Sequence, residues 1–352
     1  FPTRRSSDLG VYPFNDDYRS TTLHGRVALR PGPDADAALT VLYRDHTFHF
    51  PTDGAGNLVD RNQHQEEGQL ALGLELGRRA GPAELRLFLA ATDQDAGTDD
   101  QPDGPADTSG FYAFQSLAAV RRHNADLRAN LALGPAMLTA GAALERQRQR
   151  GLNQTRSAFG PSADAFEAAR RTRALYAQLY AEPAPALALT AGARLDASDA
   201  FGTFLTARAG ASARLAPGTR IRASAGSAFK EPTFFENYAR GFVRGNPDLE
   251  PERARSWEVG VEQALAAGRI TLAATWFDQR FRDLIQFTFQ PPRPGDPNYF
   301  NVAAARAAGL ELEARAAAGP LRGAAGYVYL DTETDDDGFG TDPAFAAGRR
   351  LL

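Results

Sequence analysis

Between two stretches of alternating apolar residues lies the segment Tyr238-Ala239-Arg240-Gly241-Phe242-Val243-Arg244. Tyr238, Arg240, Phe242 and Arg244 occupy every second position, so two rings and two guanidinium groups share one piece of chain. Arginine stays charged at any working pH and stacks on aromatic planes, so this set suits a bulky anionic ligand held by charge and stacking. The plainer reading is a loop that packs on its neighbours and touches no ligand. A second chemistry is cation binding by oxygen. Asp335-Asp336-Asp337-Gly338 makes Asp335 and Asp337 candidates for a loop-bound calcium, and Asp99, Asp100 and Asp103 form another acidic run. The Asp335 run lacks the Glu at position twelve that completes an EF-hand, and solvation alone accounts for most acidic loops.

Other chemistries find little support. The chain has no Gly-x-Ser-x-Gly, His-Glu-x-x-His, Walker A or dinucleotide fingerprint, so no enzyme is expected. It contains no Cys, which removes disulfides, thiolate metal sites and thiol nucleophiles. His46 and His49 are three apart in an alternating stretch, hence on opposite faces of a strand and poor joint ligands. A formal net charge of −4 does not favour a nucleic-acid surface.

The elements that position these residues read as strands. Ile221, Ala223 and Ala225 interleave with Arg220, Arg222 and Ser224; Trp257, Val259 and Val261 interleave with Glu258, Gly260 and Glu262. Leu70, Leu72, Leu74 and Leu76 alternate strictly, as do Leu85, Leu87 and Leu89. A period of two gives a strand with two different faces, whereas a helix would scatter these leucines around its circumference. Short Pro/Gly turns punctuate the chain at Pro31-Gly32-Pro33, Gly81-Pro82, Gly134-Pro135, Pro183-Ala184-Pro185, Pro217-Gly218, Gly268 and Gly319-Pro320. Most are about 50 residues apart and one gap is nearer 34, a period that also raises a propeller of four-stranded blades. Two longer strands per period, joined by a long polar loop, fit better. The expected strands number about 14 with the start of another. The stretch up to about Ala169 reads as loop, with a strand over Arg171–Ala181. Ala163–Tyr180 is rich in helix formers and offers a short helix as the alternative there.

Composition bounds the compartment. Apolar residues make up 43% of 352, mean hydropathy is −0.39, and no run of 18 apolar residues occurs. That supports no transmembrane helix, but the strands of a membrane barrel are only half apolar. Leu310 and Leu312 share one face of their strand, and Glu311, Glu313 and Arg315 share the other. This suits a wall with one face toward lipid and one toward a wet lumen.

The segment Ala228-Phe229-Lys230-Glu231-Pro232-Thr233-Phe234, followed by Gly245-Asn246-Pro247-Asp248-Leu249-Glu250-Pro251-Glu252 and then Glu258 and Gly260, resembles the C-terminal barrel of TonB-dependent outer-membrane receptors. Asn301, Gly309 and Glu311, then Tyr327-Val328-Tyr329-Leu330-Asp331, continue the same ordered pattern. The resemblance covers roughly 174–350. It implies an all-β transmembrane antiparallel barrel of about 22 strands, of which this chain would hold a part without the plug domain. The expected division is 1–18, a truncated end whose first nine residues are of doubtful origin, and 19–352, a partial barrel. The resemblance further implies an outer-membrane receptor that takes up a metal chelate of siderophore or cobalamin type, energised through the TonB complex. In the family the long loops face outward. Gly245, Asn246, Pro247 and Pro251 read as residues that shape the loop's re-entry rather than bind a ligand. A cell-envelope β-propeller acting as a binding or hydrolytic module is the alternative.

Overall fold

The alternating stretches pair into one continuous sheet. The computed structural model describes residues 3–8, 14–52, 58, 60–105, 111–241, 243–336 and 348. It contains β1 (Thr3–Asp8), β2 (Asp17–Gly32), β3 (Ala35–His49), β4 (His64–Ala80), β5 (Ala83–Asp100), β6 (Phe111–Leu133), β7 (Ala136–Ser157) and β8 (Gly160–Ala184). There follow β9 (Leu187–Ser198), β10 (Gly202–Ala216), β11 (Thr219–Lys230), the short helix α1 (Phe234–Tyr238), β12 (Glu252–Leu265), β13 (Ile270–Phe287), β14 (Tyr299–Ala318) and β15 (Leu321–Asp336). The strands lie side by side in chain order, each antiparallel to the next. This order excludes the propeller: four-stranded blades would break the sheet into separate small ones, and here every strand pairs with its sequence neighbour.

The register sorts side chains into two faces. Reading straight across β2 to β10, Leu29, Ala37, Leu76, Leu87, Leu127, Ala142, Leu175, Leu195 and Leu205 stand opposite one another in a single row. Opposed residues project to the same side, so this face is apolar across nine strands. Leu127 is 54% exposed and Leu175 63%, so no other part of the described chain covers them. One residue further along, the row runs through Arg86, Arg128, Gly141, Tyr176, Arg194 and Thr206 on the opposite face. There Arg86 reaches Glu84 at 2.8 Å and Asp36 at 3.3 Å, while Arg128 donates to the Tyr176 hydroxyl, which donates to Asp126 at 2.8 Å.

The apolar face has a sharp upper limit. Five alternate positions are apolar on β7 (Ala136, Leu138, Ala140, Ala142, Leu144) and four on β13 (Ile270, Leu272, Ala274, Trp276). Beyond them the same face carries Arg146 and Arg148 on β7, Arg171 and Arg173 on β8, and Arg280 and Arg282 on β13. Tyr43, Trp257, Trp276 and Tyr329 occupy the last apolar position below this charged zone on their strands.

All seven Pro/Gly turns are tight connections at one end of the sheet. At the other end the connections vary. Those between β3 and β4, β5 and β6, β11 and β12, and β13 and β14 are long, whereas β7 turns directly into β8, and β9 into β10. The region up to Ala169 is therefore strand rather than loop, paired from Ser157↔Gly160 downward. The Ala-rich stretch from Ala163 to Tyr180 lies within β8, not in a helix. Cross-strand pairing on both sides overrides its helix propensity, which is a weak prior against tertiary context.

Candidate functional site

The connection between β11 and β12 is highly organised, and its order starts from local chemistry. Pro232 fixes the chain direction and is fully buried. Thr233 then caps α1. Its hydroxyl accepts from the Glu236 amide at 3.2 Å, and the Glu236 carboxylate in turn accepts from the Thr233 amide at 2.6 Å. One turn of helix cannot hold itself against unfolding, so the loop is pinned from outside.

The pin is Arg170 on the polar face of β8. Its guanidinium pairs with Glu231 at 3.0 Å, donates to the Pro232 carbonyl at 2.9 Å and to Gln147 at 2.8 Å, and lies 4.8 Å over the Phe234 ring. Both side chains of the ion pair are nearly buried, 12% and 13% exposed. Phe235 meets Phe166 of β8 and Tyr299 of β14. Burial pushes the Tyr299 phenol up from its ordinary value, with the charge of Glu236 adding to the shift.

The Gly-Asn-Pro segment closes the loop. Asn237 donates to the Asn246 carbonyl at 2.8 Å, the Asn246 amide donates to the Glu236 carbonyl at 2.7 Å, and the Asn246 side chain reaches the Tyr299 carbonyl at 2.9 Å. A Cβ on Gly245 would lie 2.6 Å from the backbone of Asn237 and Tyr238, so no side chain fits there. Asn301 ties the following turn down, accepting from the Glu250 amide and donating to the Glu250 and Asp283 carbonyls. These residues build the loop, as their types suggest.

Three of the four anion-gripping candidates fall on this scaffold. Tyr238 ends α1 with its ring stacked on Phe234 at 6.4 Å. Arg240 and Arg244 are exposed and face each other through an isolated backbone bridge. The Arg244 guanidinium donates to the Gly295 carbonyl at 2.8 Å, in the loop between β13 and β14. Phe242 lies outside the described residues. The loop emerges at the end opposite the seven tight turns.

The oxygen-rich runs are disposed differently. Asp99 accepts from Gln101 at 2.6 Å, and Asp103 accepts from the Arg61 amide and from Asn62. Asp335 lies at the end of strand β15 rather than in a loop, where only the backbone is described, and Asp337 lies outside the described residues. His46 sits 3.5 Å from Glu67 and His49 3.1 Å from Asp17. Among the described residues no three His, Asp or Glu side chains are grouped to hold a metal ion.

Beneath the loop, the polar faces of β5 to β8 form the floor of a cavity of about 400 Å3, bounded above by Phe235, Gly241 and Val243. Asp164 in this floor is 5% exposed. Neither Arg170 nor Asp164 stands out in the sequence. The only signal is parity: once 160–184 is read as strand, both fall on the polar face with Tyr176.

A family model described as TonB dependent receptor-like, beta-barrel matches residues 2–351. Among solved structures the chain resembles the copper transporter OprC, with a TM-score of 0.73 at 16% identity over 96% of this chain and 56% of that one. It also resembles the siderophore receptor PirA from Pseudomonas aeruginosa (TM-score 0.68, 17% identity, 91% and 58% covered). A third similar structure is the ferric yersiniabactin uptake receptor FyuA from Yersinia pestis (TM-score 0.70, 14% identity, 95% and 56% covered). At these identities the likeness is one of fold. The chain spans 54–58% of the length of the first three solved structures that it matches.

Proposed function

The chain belongs to the TonB-dependent receptor family through its β-barrel, and on that premise we propose that it forms part of the wall of an outer-membrane receptor for a metal chelate of siderophore or cobalamin type, energised through TonB. The observation that carries the reading is the division of the sheet into an apolar and a charged face with a sharp boundary. A membrane strand needs about 9–11 tilted residues to cross the hydrocarbon. On β6 (Ala125–Leu133) and β7 (Ala136–Leu144) the apolar face runs for nine residues, which matches that height, and Tyr43, Trp257, Trp276 and Tyr329 at its upper edge match the aromatic girdle of such barrels. The apolar face then meets lipid, and the face bearing Arg86, Arg128 and Tyr176 lines the lumen. β8 runs 25 residues, roughly 80 Å at the usual rise, so β7 and β8 project well beyond the bilayer on the long-loop side.

The loop bearing Tyr238, Arg240, Phe242 and Arg244 stands on that outer side and is offered as a contact for the chelate. Arg240 is exposed, and Arg244 keeps its charge while one nitrogen bonds to a carbonyl. The test is uptake of iron- or cobalt-labelled chelates by cells carrying the full-length receptor in place of their own, with and without TonB. Uptake that requires both receptor and TonB is expected, along with at least a tenfold loss of chelate affinity in the R240A/R244A double variant. Uptake independent of TonB would overturn the transport reading, and unchanged affinity would return the loop to a packing role.

A further inference from the structure

The cavity beneath the loop has a chemistry of its own. Asp164 Oδ1 is shut off from solvent and has no hydrogen-bond partner among the described residues. Asn153 stands directly opposite it across the β7–β8 pair, and Asp100 brings a second carboxylate from β5. Phe114 and Phe235 supply apolar walls. The loop closes tightly from above, since a Cβ on Gly241 would come within 2.9 Å of Asp164 Cβ. Among the described residues lining the space there is no Arg, Lys or His. A carboxylate held away from water is favourable only when matched by a cation or by N–H donors.

We propose that this cavity binds a protonated amine or guanidinium group carried by the ligand, with Asp164 as its charge partner. Asp100 adds negative potential, and the Asn153 carbonyl oxygen offers a further acceptor. Phe114 and Phe235 receive the attached carbon chain, and aromatic rings also attract cations. The proposal rests on the reading of the chain as an uptake receptor and narrows it. Arg240 and Arg244 outside and Asp164 inside suit a ligand with an anionic body and a cationic arm.

The test uses n-butylammonium and n-butanol, alike in shape and differing in charge, titrated by saturation-transfer NMR into the full-length receptor in detergent. The ammonium is expected to bind at least tenfold more tightly than the alcohol. Asp164→Asn keeps the shape and removes the charge, so it should abolish the difference. Asn153→Lys supplies an ammonium within the chain beside Asp164 and should abolish it too, which keeps the proposal testable if Asp164→Asn fails to fold. Equal binding of the two probes by the unaltered receptor, or a preference that survives in whichever of these variants folds, overturns the proposal. The probes are not chelates, so this result and the outcome of the TonB uptake assay fail or stand independently.

Discussion

Replacing Arg170 with Ala removes one partner of a nearly buried ion pair and leaves Glu231 in place, 13% exposed. It also removes a donor to the Pro232 carbonyl and the cation over Phe234. Taking away one member of a buried pair costs about 3–5 kcal/mol, because the remaining charge is left uncompensated. The sheet does not bear this cost, since its ladders on both sides of β8 remain. It falls on docking of the loop, so the loop's open fraction should rise by roughly two to three and a half orders of magnitude. Hydrogen exchange in the full-length receptor reads this directly. The informative amides are Asn237, Ala239, Gly245 and Asn246, which donate to Thr233, Phe235, Ala239 and Glu236 within the loop. Their exchange should accelerate at least a hundredfold, while amides of β2 and β3 stay unchanged. Arg170→Lys keeps the charge but loses the forked geometry and should fall between. The R170A/E231A pair should cost less than R170A alone, since no charge is stranded. Loop exchange within threefold of the unaltered receptor in R170A, or equal acceleration throughout the sheet, would refute the pinning argument.

Leu127→Arg places a charge in the middle of the apolar face and should destabilise the receptor in bilayers by about 2–4 kcal/mol, whereas Asn130→Arg, on the polar face beside Glu84, should be tolerated. Reversible unfolding in lipid vesicles measures both, and equal effects would remove the lipid-facing assignment. Gly309→Val should lower the melting temperature sharply, because a Cβ there lies 2.3 Å from the Tyr329 carbonyl and 2.7 Å from the Phe277 ring. Phe277→Ala in the same background should restore only part of the loss, since the carbonyl contact remains. Glu167 accepts hydrogen bonds from Arg148 and from Arg150 at 2.6 Å, which hold its carboxyl below the ordinary range. Its contribution is therefore present above the ordinary carboxylate range and is lost as pH falls through the lowered value. Exchange at the β7–β8 tip, corrected for the intrinsic rate, should accelerate as pH falls below the ordinary carboxylate range, and this added acid sensitivity should be lost in Glu167→Gln.

Local chemistry alone determined the alternating middle of the strands from β2 to β15, the seven tight turns and the two faces, but not β1. A period of two is visible residue by residue in Leu70 to Leu76, and Pro and Gly mark where a chain reverses, so neither needs a distant partner. The building role of Gly245 and Asn246 was also legible from their types, but its cause is tertiary: Gly245 is required by the close approach of the Asn237 and Tyr238 backbone, and Asn246 by its bond to the Tyr299 carbonyl. The reach of β7 and β8 was not legible. Ala163 to Tyr180 carries helix-forming side chains, and only hydrogen bonding on both edges makes it a strand. Arg170 grips Pro232 across 62 positions, and Asp164 meets Gly241 only because the loop folds back over β8. Such contacts depend on inter-strand register and on where a long loop lands, and both are set by pairing between residues far apart in the chain. Tertiary structure therefore decided which arginine pins the loop and which aspartate is buried beneath it.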